Sequence, residues 1–186
     1  MRDAVTYRMR GLQALCVGLW IYAGATPNTQ ALSREEALAG VYPGAQIRAE
    51  QLFLTPAQMK GAAVRAGTRV PSALVARYVA SRDGRTVGRA YVDTHTVRTK
   101  KESLLISLDS EGHVLRLDVT AFLEPPEFHA PEPWLRQYQG RGLTNDLAMN
   151  RALRPLAGAT LTARAATEAV RRVLAVDQVL MGGGGR

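Results

Sequence analysis

Four stretches between Ala73 and Phe122, joined by short turn-forming segments, constrain the fold more than any other feature of this sequence. They cover Ala73–Ser81, Val87–Val97, Glu102–Asp109 and His113–Phe122 and carry the side-chain pattern of strands. Asp83-Gly84 and Ser110-Glu111-Gly112 supply turn chemistry between them, whereas the connection around Arg98-Thr99-Lys100 lacks glycine and is a weaker turn signal. Consecutive strands joined by short turns pair antiparallel, so the segment predicts a meander of about four strands with one face open to helices. The fold class expected is α+β, an antiparallel sheet flanked by helices in a single domain.

The flanking helices carry their own signals. Ser33-Arg34-Glu35-Glu36 has the capping-box spacing and opens a short helix through Leu38, which Tyr42-Pro43-Gly44 stops. Ala45 to Leu54 alternates well enough for a further strand. Thr55-Pro56-Ala57-Gln58 repeats the capping logic with proline at the first helical position, and the helix it opens reaches Ala66, with Gly67 as its stop. The segment Glu124 to Pro133 contains four prolines and can be the interior of neither strand nor helix. Trp134, Leu135 and Tyr138 follow at helical spacing, which makes the proline segment an ordered loop leading into a short helix. Residues 141 to 156 give no clear pattern. From Thr160 the sequence is strongly helical, with Leu161, Ala165, Ala169, Val170, Val173 and Leu174 as one apolar stripe and Arg171 and Arg172 near the far end of the dipole.

The chain begins with Arg2, Arg8 and Arg10, then an apolar stretch from Gly11 to Ala23 that is short for a bilayer span, then small residues with A-x-A-like sites at Ala23-Gly24-Ala25 and Thr29-Gln30-Ala31. This pattern reads as a signal peptide over residues 1–31, with a folded domain over 32–178 and a flexible glycine-rich tail over 179–186. The expected location is extracytoplasmic: periplasmic, either free or associated with the membrane. The single cysteine, Cys16, lies in the leader, so the mature domain would hold neither disulfides nor thiolate-ligated metal.

With 186 residues, 46% of them apolar and 22% charged, the composition is that of one globular domain. The formal charge of +8 arises from 24 Lys and Arg against 16 Asp and Glu. The surplus is scattered, without a basic run interleaved with aromatics, so no nucleic-acid partner is expected. His95, His113 and His129 show no ligand spacing with a nearby carboxylate, and surface or hydrogen-bonded roles are expected of them rather than a metal site. Asp93-Thr94-His95-Thr96 is polar enough to reach a ligand, and an exposed strand face explains it equally. No G-x-S-x-G turn is present, so no Ser-His-Asp hydrolase is indicated.

The segment richest in chemistry is Ala157-Gly158-Ala159-Thr160-Leu161-Thr162, where small residues meet the start of a long helix. Glycine lets backbone approach a ligand, and the free amides with the positive end of the dipole attract phosphate. On spacing alone, Thr160 or Thr162 could equally be a simple N-cap.

This stretch resembles the end of the FMN-binding domain family, found in the C subunit of the sodium-translocating NADH:quinone reductase and the G subunit of the Rnf complex. Gly158-Ala159-Thr160-Leu161-Thr162-Ala163-Arg164-Ala165 carries the likeness, joined by Glu36-Ala37-Leu38, Tyr42-Pro43-Gly44-Ala45, Val87-Gly88-Arg89-Ala90-Tyr91-Val92, Glu124-Pro125 and Trp134 to Gly140. The resemblance implies FMN held as a phosphoester on Thr160 by a separate magnesium-dependent flavin transferase. Gly158, Ala159, Leu161, Thr162 and Glu124 would surround the cofactor, and a membrane-associated redox partner would exchange electrons with it. Two positions depart from the pattern: Ala157 stands where the family has Ser or Thr, and Arg154 where an Asp is usual. The alternative is therefore a relative of the same fold without flavin, serving as an extracytoplasmic ligand- or partner-binding module. Trp134, Tyr138 and Phe128 are candidates either for flavin-pocket walls or for core anchors.

Overall fold

The computed structural model describes residues 33–182; residues 1–32, on which the expected signal peptide and Cys16 fall, and the last four residues lie outside the described residues. Both expected capping boxes form. Ser33 Oγ accepts from the Glu36 amide and opens α1 (Arg34–Val41), and Thr55 Oγ1 accepts from the Gln58 amide and opens α2 (Pro56–Ala66), which Gly67 closes. Five strands follow the chain as one antiparallel sheet in the order β1-β2-β3-β4-β5: Gln46–Phe53, Leu74–Arg82, Arg85–Thr96, Lys101–Asp109 and Val114–Phe122. The expected central meander is present, and the strand over 45–54 joins it as the edge partner of β2.

Side-chain alternation divides the sheet into two faces. One face packs against α2 and α4 (Thr160–Gly182), burying Leu104, Ile106 and Leu108 of β4 beneath Ala166, Val170 and Leu174. The other carries a smaller cluster in which Ala37 and Leu38 of α1 meet Ala80, Ala90 and Leu105. Gly88 permits the closest approach there: a Cβ at this position would collide with the Tyr42 ring and stand 2.5 Å from the Leu108 carbonyl oxygen. The Tyr42 hydroxyl lies 2.8 Å from the carbonyl oxygens of both Arg89 and Leu108, so α1 is fastened to strand backbone by a ring that needs the missing side chain.

The proline segment is an ordered connection, with a single turn of 3-10 helix at Pro126–Phe128, a short α3 (Glu132–Leu135) and a second 3-10 turn at Arg136–Tyr138. Residues 141–156 form successive turns pinned by Arg141, whose guanidinium donates to the carbonyls of Gln137 and Ala152.

Two details of α4 differ from the sequence reading. The helix runs on to Gly182, so residues 179–182 are helical rather than tail, and Arg171 and Arg172 sit in its middle rather than near its end. The buried stripe begins at Thr162 and Ala163, not at Leu161, which is exposed. Among the described residues no helix is long and apolar enough to cross a membrane.

Candidate cofactor-attachment site

Gly158 takes a φ of 76°, a left-handed value that a β-carbon would strain, and turns the chain into α4. The Ala159 amide donates back to Leu156 O at 3.3 Å, and Ala159 O accepts the first helical bond from Ala163 at 3.0 Å. Ala159 therefore occupies the cap, and Thr160, Leu161 and Thr162 are the first three helical residues, whose amides precede the helix's own hydrogen-bond ladder. Neither threonine is an N-cap.

The two hydroxyls have opposite surroundings. Thr160 is exposed, whereas Thr162 is 1% exposed and donates its hydroxyl to Phe128 O at 2.6 Å. Thr162 thus fastens the first turn of α4 to the proline loop and leaves Thr160 as the hydroxyl that faces solvent. The turn before it is open as well, since a Cβ built on Gly158 meets nothing within 4 Å. Phosphate attachment at Thr160 fits these residues: an accessible oxygen, small neighbours and helix-terminal amides.

Glu124 is placed elsewhere in the loop cluster. Its Oε1 accepts from the backbone amides of Arg98, Thr99 and Lys100 at 2.9, 2.6 and 2.6 Å, and those of Lys100 and Thr99 do most to hold its carboxyl below the usual range. Glu124 thus braces the glycine-free connection between β3 and β4. Arg98 in turn lies over the Phe128 ring at 4.2 Å, joining that connection to the loop that holds Thr162.

Of the aromatic candidates, Tyr138 is a core anchor, whereas Trp134 and Phe128 are half-buried. Tyr138 is fully buried, with its hydroxyl 2.8 Å from Thr167 Oγ1, and Trp134 meets it edge-on at 5.6 Å between centroids. Trp134 Nε1 donates to Arg154 O and the Arg154 amide donates to Gln137 Oε1, so the backbone of Arg154 is clamped while its side chain stays exposed.

A second polar constellation includes Asp93 and His95, which the sequence left open between ligand contact and an exposed strand face; both side chains are largely buried. Arg89, Tyr91, Asp93 and His95 alternate along β3 and face α4, where two ion pairs fix the helix on the strand. Asp177 accepts from Arg89 at 2.5 and 2.9 Å and from the Tyr91 hydroxyl at 2.7 Å, and Asp93 accepts from Arg172 at 2.8 and 2.9 Å. His95 lies between Asp93 and Glu102, 3.0 Å from each; Glu102 is wholly buried and its Oε1 has no hydrogen-bond partner. Burial works against the charged imidazole, but the two carboxylates outweigh it and raise its pKa to about 9. The period-two spacing of Tyr91, Asp93 and His95 was the available signal, because it puts all three on one face of the strand.

Two hollows of about 300 Å³ and 290 Å³ lie away from the Thr160 turn. The first is bordered by Arg116, Asp118, Glu132 and Gln139, and the second by Val70, Val75, Thr94, Arg172 and Val176. Comparison with protein-family models, with curated proteins and with solved structures returns no match.

Proposed function

We propose that this chain is an exported flavoprotein that carries FMN as a phosphoester on Thr160 and passes electrons outside the cytoplasm. The supporting observation is the division of labour between two hydroxyls: Thr162 is buried and spent on Phe128 O, while Thr160 stands exposed one helical position after the Ala159 cap. In the attachment step the Thr160 oxygen bonds to phosphorus, the bond from phosphorus to the donor's leaving group breaks, and the hydroxyl proton is lost to base. A flavin transferase with magnesium supplies the donor chemistry. FMN, once attached, supplies one- and two-electron transfer, and the chain's part is to hold and orient it. A membrane-associated redox partner is the expected source or recipient of the electrons.

The test is coexpression with a flavin transferase, followed by intact-protein and peptide mass spectrometry. The expected result is one esterified FMN on the peptide containing Thr160, absent in Thr160→Ala. A colourless, unshifted protein would overturn the reading and favour the non-flavinylated relative, which draws its support from the exposed Arg154 side chain and from Ala157 where the motif has an acidic and a hydroxyl residue.

A further inference from the structure

The sheet opens at one end. Strands β2 and β3 are paired only as far as Ala76 and Val92, although β2 continues beside β1 to Leu74 and β3 continues beside β4 to Thr96. The hollow of about 290 Å³ occupies this fork, floored by Arg172, Val173 and Val176 of α4 and flanked by Val70 and Pro71.

The backbone in the fork can be assigned from the ladder alternation. The Val97 amide donates to Lys100 O at 3.1 Å, so counting back along β3 turns the N–H and C=O of Thr94 away from β4 and toward β2. The Leu54 amide donates to Ala73 O at 2.8 Å, which turns the backbone groups of Leu74 toward β3. Leu74 and Thr94 would form the next ladder pair. Instead, Ser72 Oγ accepts from the Leu74 amide at 3.0 Å and lies 3.2 Å from Leu74 O, satisfying that strand locally. The register of β2 with β3 ends at Ala76 and Val92, so the amide and carbonyl of Thr94 point into the fork beyond the last ladder pair.

Arg172 adds a third polar feature. Its Nε and Nη2 are spent on Asp93, while Nη1 makes no hydrogen bond among the described residues, and the side chain borders the hollow. The charge of Arg172 is already matched by Asp93, so the fork asks for a hydrogen-bond acceptor without a formal charge.

We infer that the fork between β2 and β3 is a binding site for a neutral, mainly apolar small molecule bearing a carbonyl, which accepts from the Thr94 amide or from Arg172 Nη1. The volume suits a body of about two fused rings. Arg172 lies twelve residues along α4 from Thr160, about 18 Å at the helical rise, so this site is separate from the proposed flavin attachment.

The neutral naphthyl ketone prodan is a suitable probe. Titrated into the full protein, it should bind saturably with blue-shifted emission and move the amide resonance of Thr94 and the Nε resonance of Arg172. Val75→Phe, which puts a ring into the hollow, should weaken binding by about tenfold or more, while Thr160→Ala should leave it unchanged. Absence of saturable binding, or resonance shifts that leave Thr94 and Arg172 unmoved, would overturn the inference. Should Val75→Phe prove unfolded by circular dichroism, the resonance map of the unsubstituted protein decides alone.

Discussion

Arg172 of α4 forks onto Asp93 of β3 with both contacts under 3 Å and both side chains about nine-tenths buried. Together with Asp177 on Arg89 it sets the helix antiparallel to the strand and at one longitudinal position: the later helical residue meets the earlier strand residue. Apolar packing alone would tolerate a slide by one turn. A slide would leave four buried charges unmatched.

Removing one partner of that pair should therefore cost more than removing both. Arg172→Met alone leaves Asp93 charged and buried and should destabilise by about 3 kcal/mol or more, whereas Arg172→Met with Asp93→Leu should recover part of the loss. Urea denaturation of the two variants beside the unsubstituted protein measures the difference.

His95 should make the protein less stable in alkali. Its folded pKa of about 9 exceeds the unfolded value of about 6.5. Its contribution is then complete below pH of about 6.5 and is lost as pH rises through about 9, on the order of 3 kcal/mol. Denaturation midpoints should fall over that window and should be nearly flat across it in His95→Gln.

Thr162→Val should separate fastening from attachment. Losing the hydroxyl leaves Phe128 O without its donor and should cost about 1 to 2 kcal/mol. If Thr160 is the acceptor, the FMN mass increment on coexpression should persist in this variant. Transfer of the increment to Thr162 in any variant would contradict its assigned role.

Gly88→Ala should destabilise by about 2 to 3 kcal/mol through crowding, since neither the Tyr42 ring nor the Leu108 carbonyl can retreat without breaking the bonds between them. The melting temperature reads this directly, and the spectrum of any attached flavin should be unaffected.

What was legible in the sequence was local. Ser33 with Glu36 and Thr55 with Gln58 each lie within one helical turn, and both boxes form; Asp83 and Gly84 are adjacent, and both take the positive φ that the β2–β3 turn requires. The connection at 98–100 gave a weak signal because its stabiliser, Glu124, stands some two dozen residues downstream. The polar row on β3 was ambiguous for the same reason: the partners of Asp93 and Arg89 are 79 and 88 residues away, and nothing near either one in the chain announces an ion pair. Thr160 and Thr162 could not be told apart by spacing, because what distinguishes them is a carbonyl contributed by the proline loop.

The bond from Thr162 to Phe128 O ties the start of α4 to a loop whose prolines have already surrendered much of their backbone freedom. Any enzyme that modifies Thr160 consequently meets a rigid template rather than a pliable strand it could thread through its own active site. Such an enzyme would recognise shape, and the proposed attachment would follow folding; a denatured substrate or a short peptide spanning the motif would be a poor substitute for the native domain.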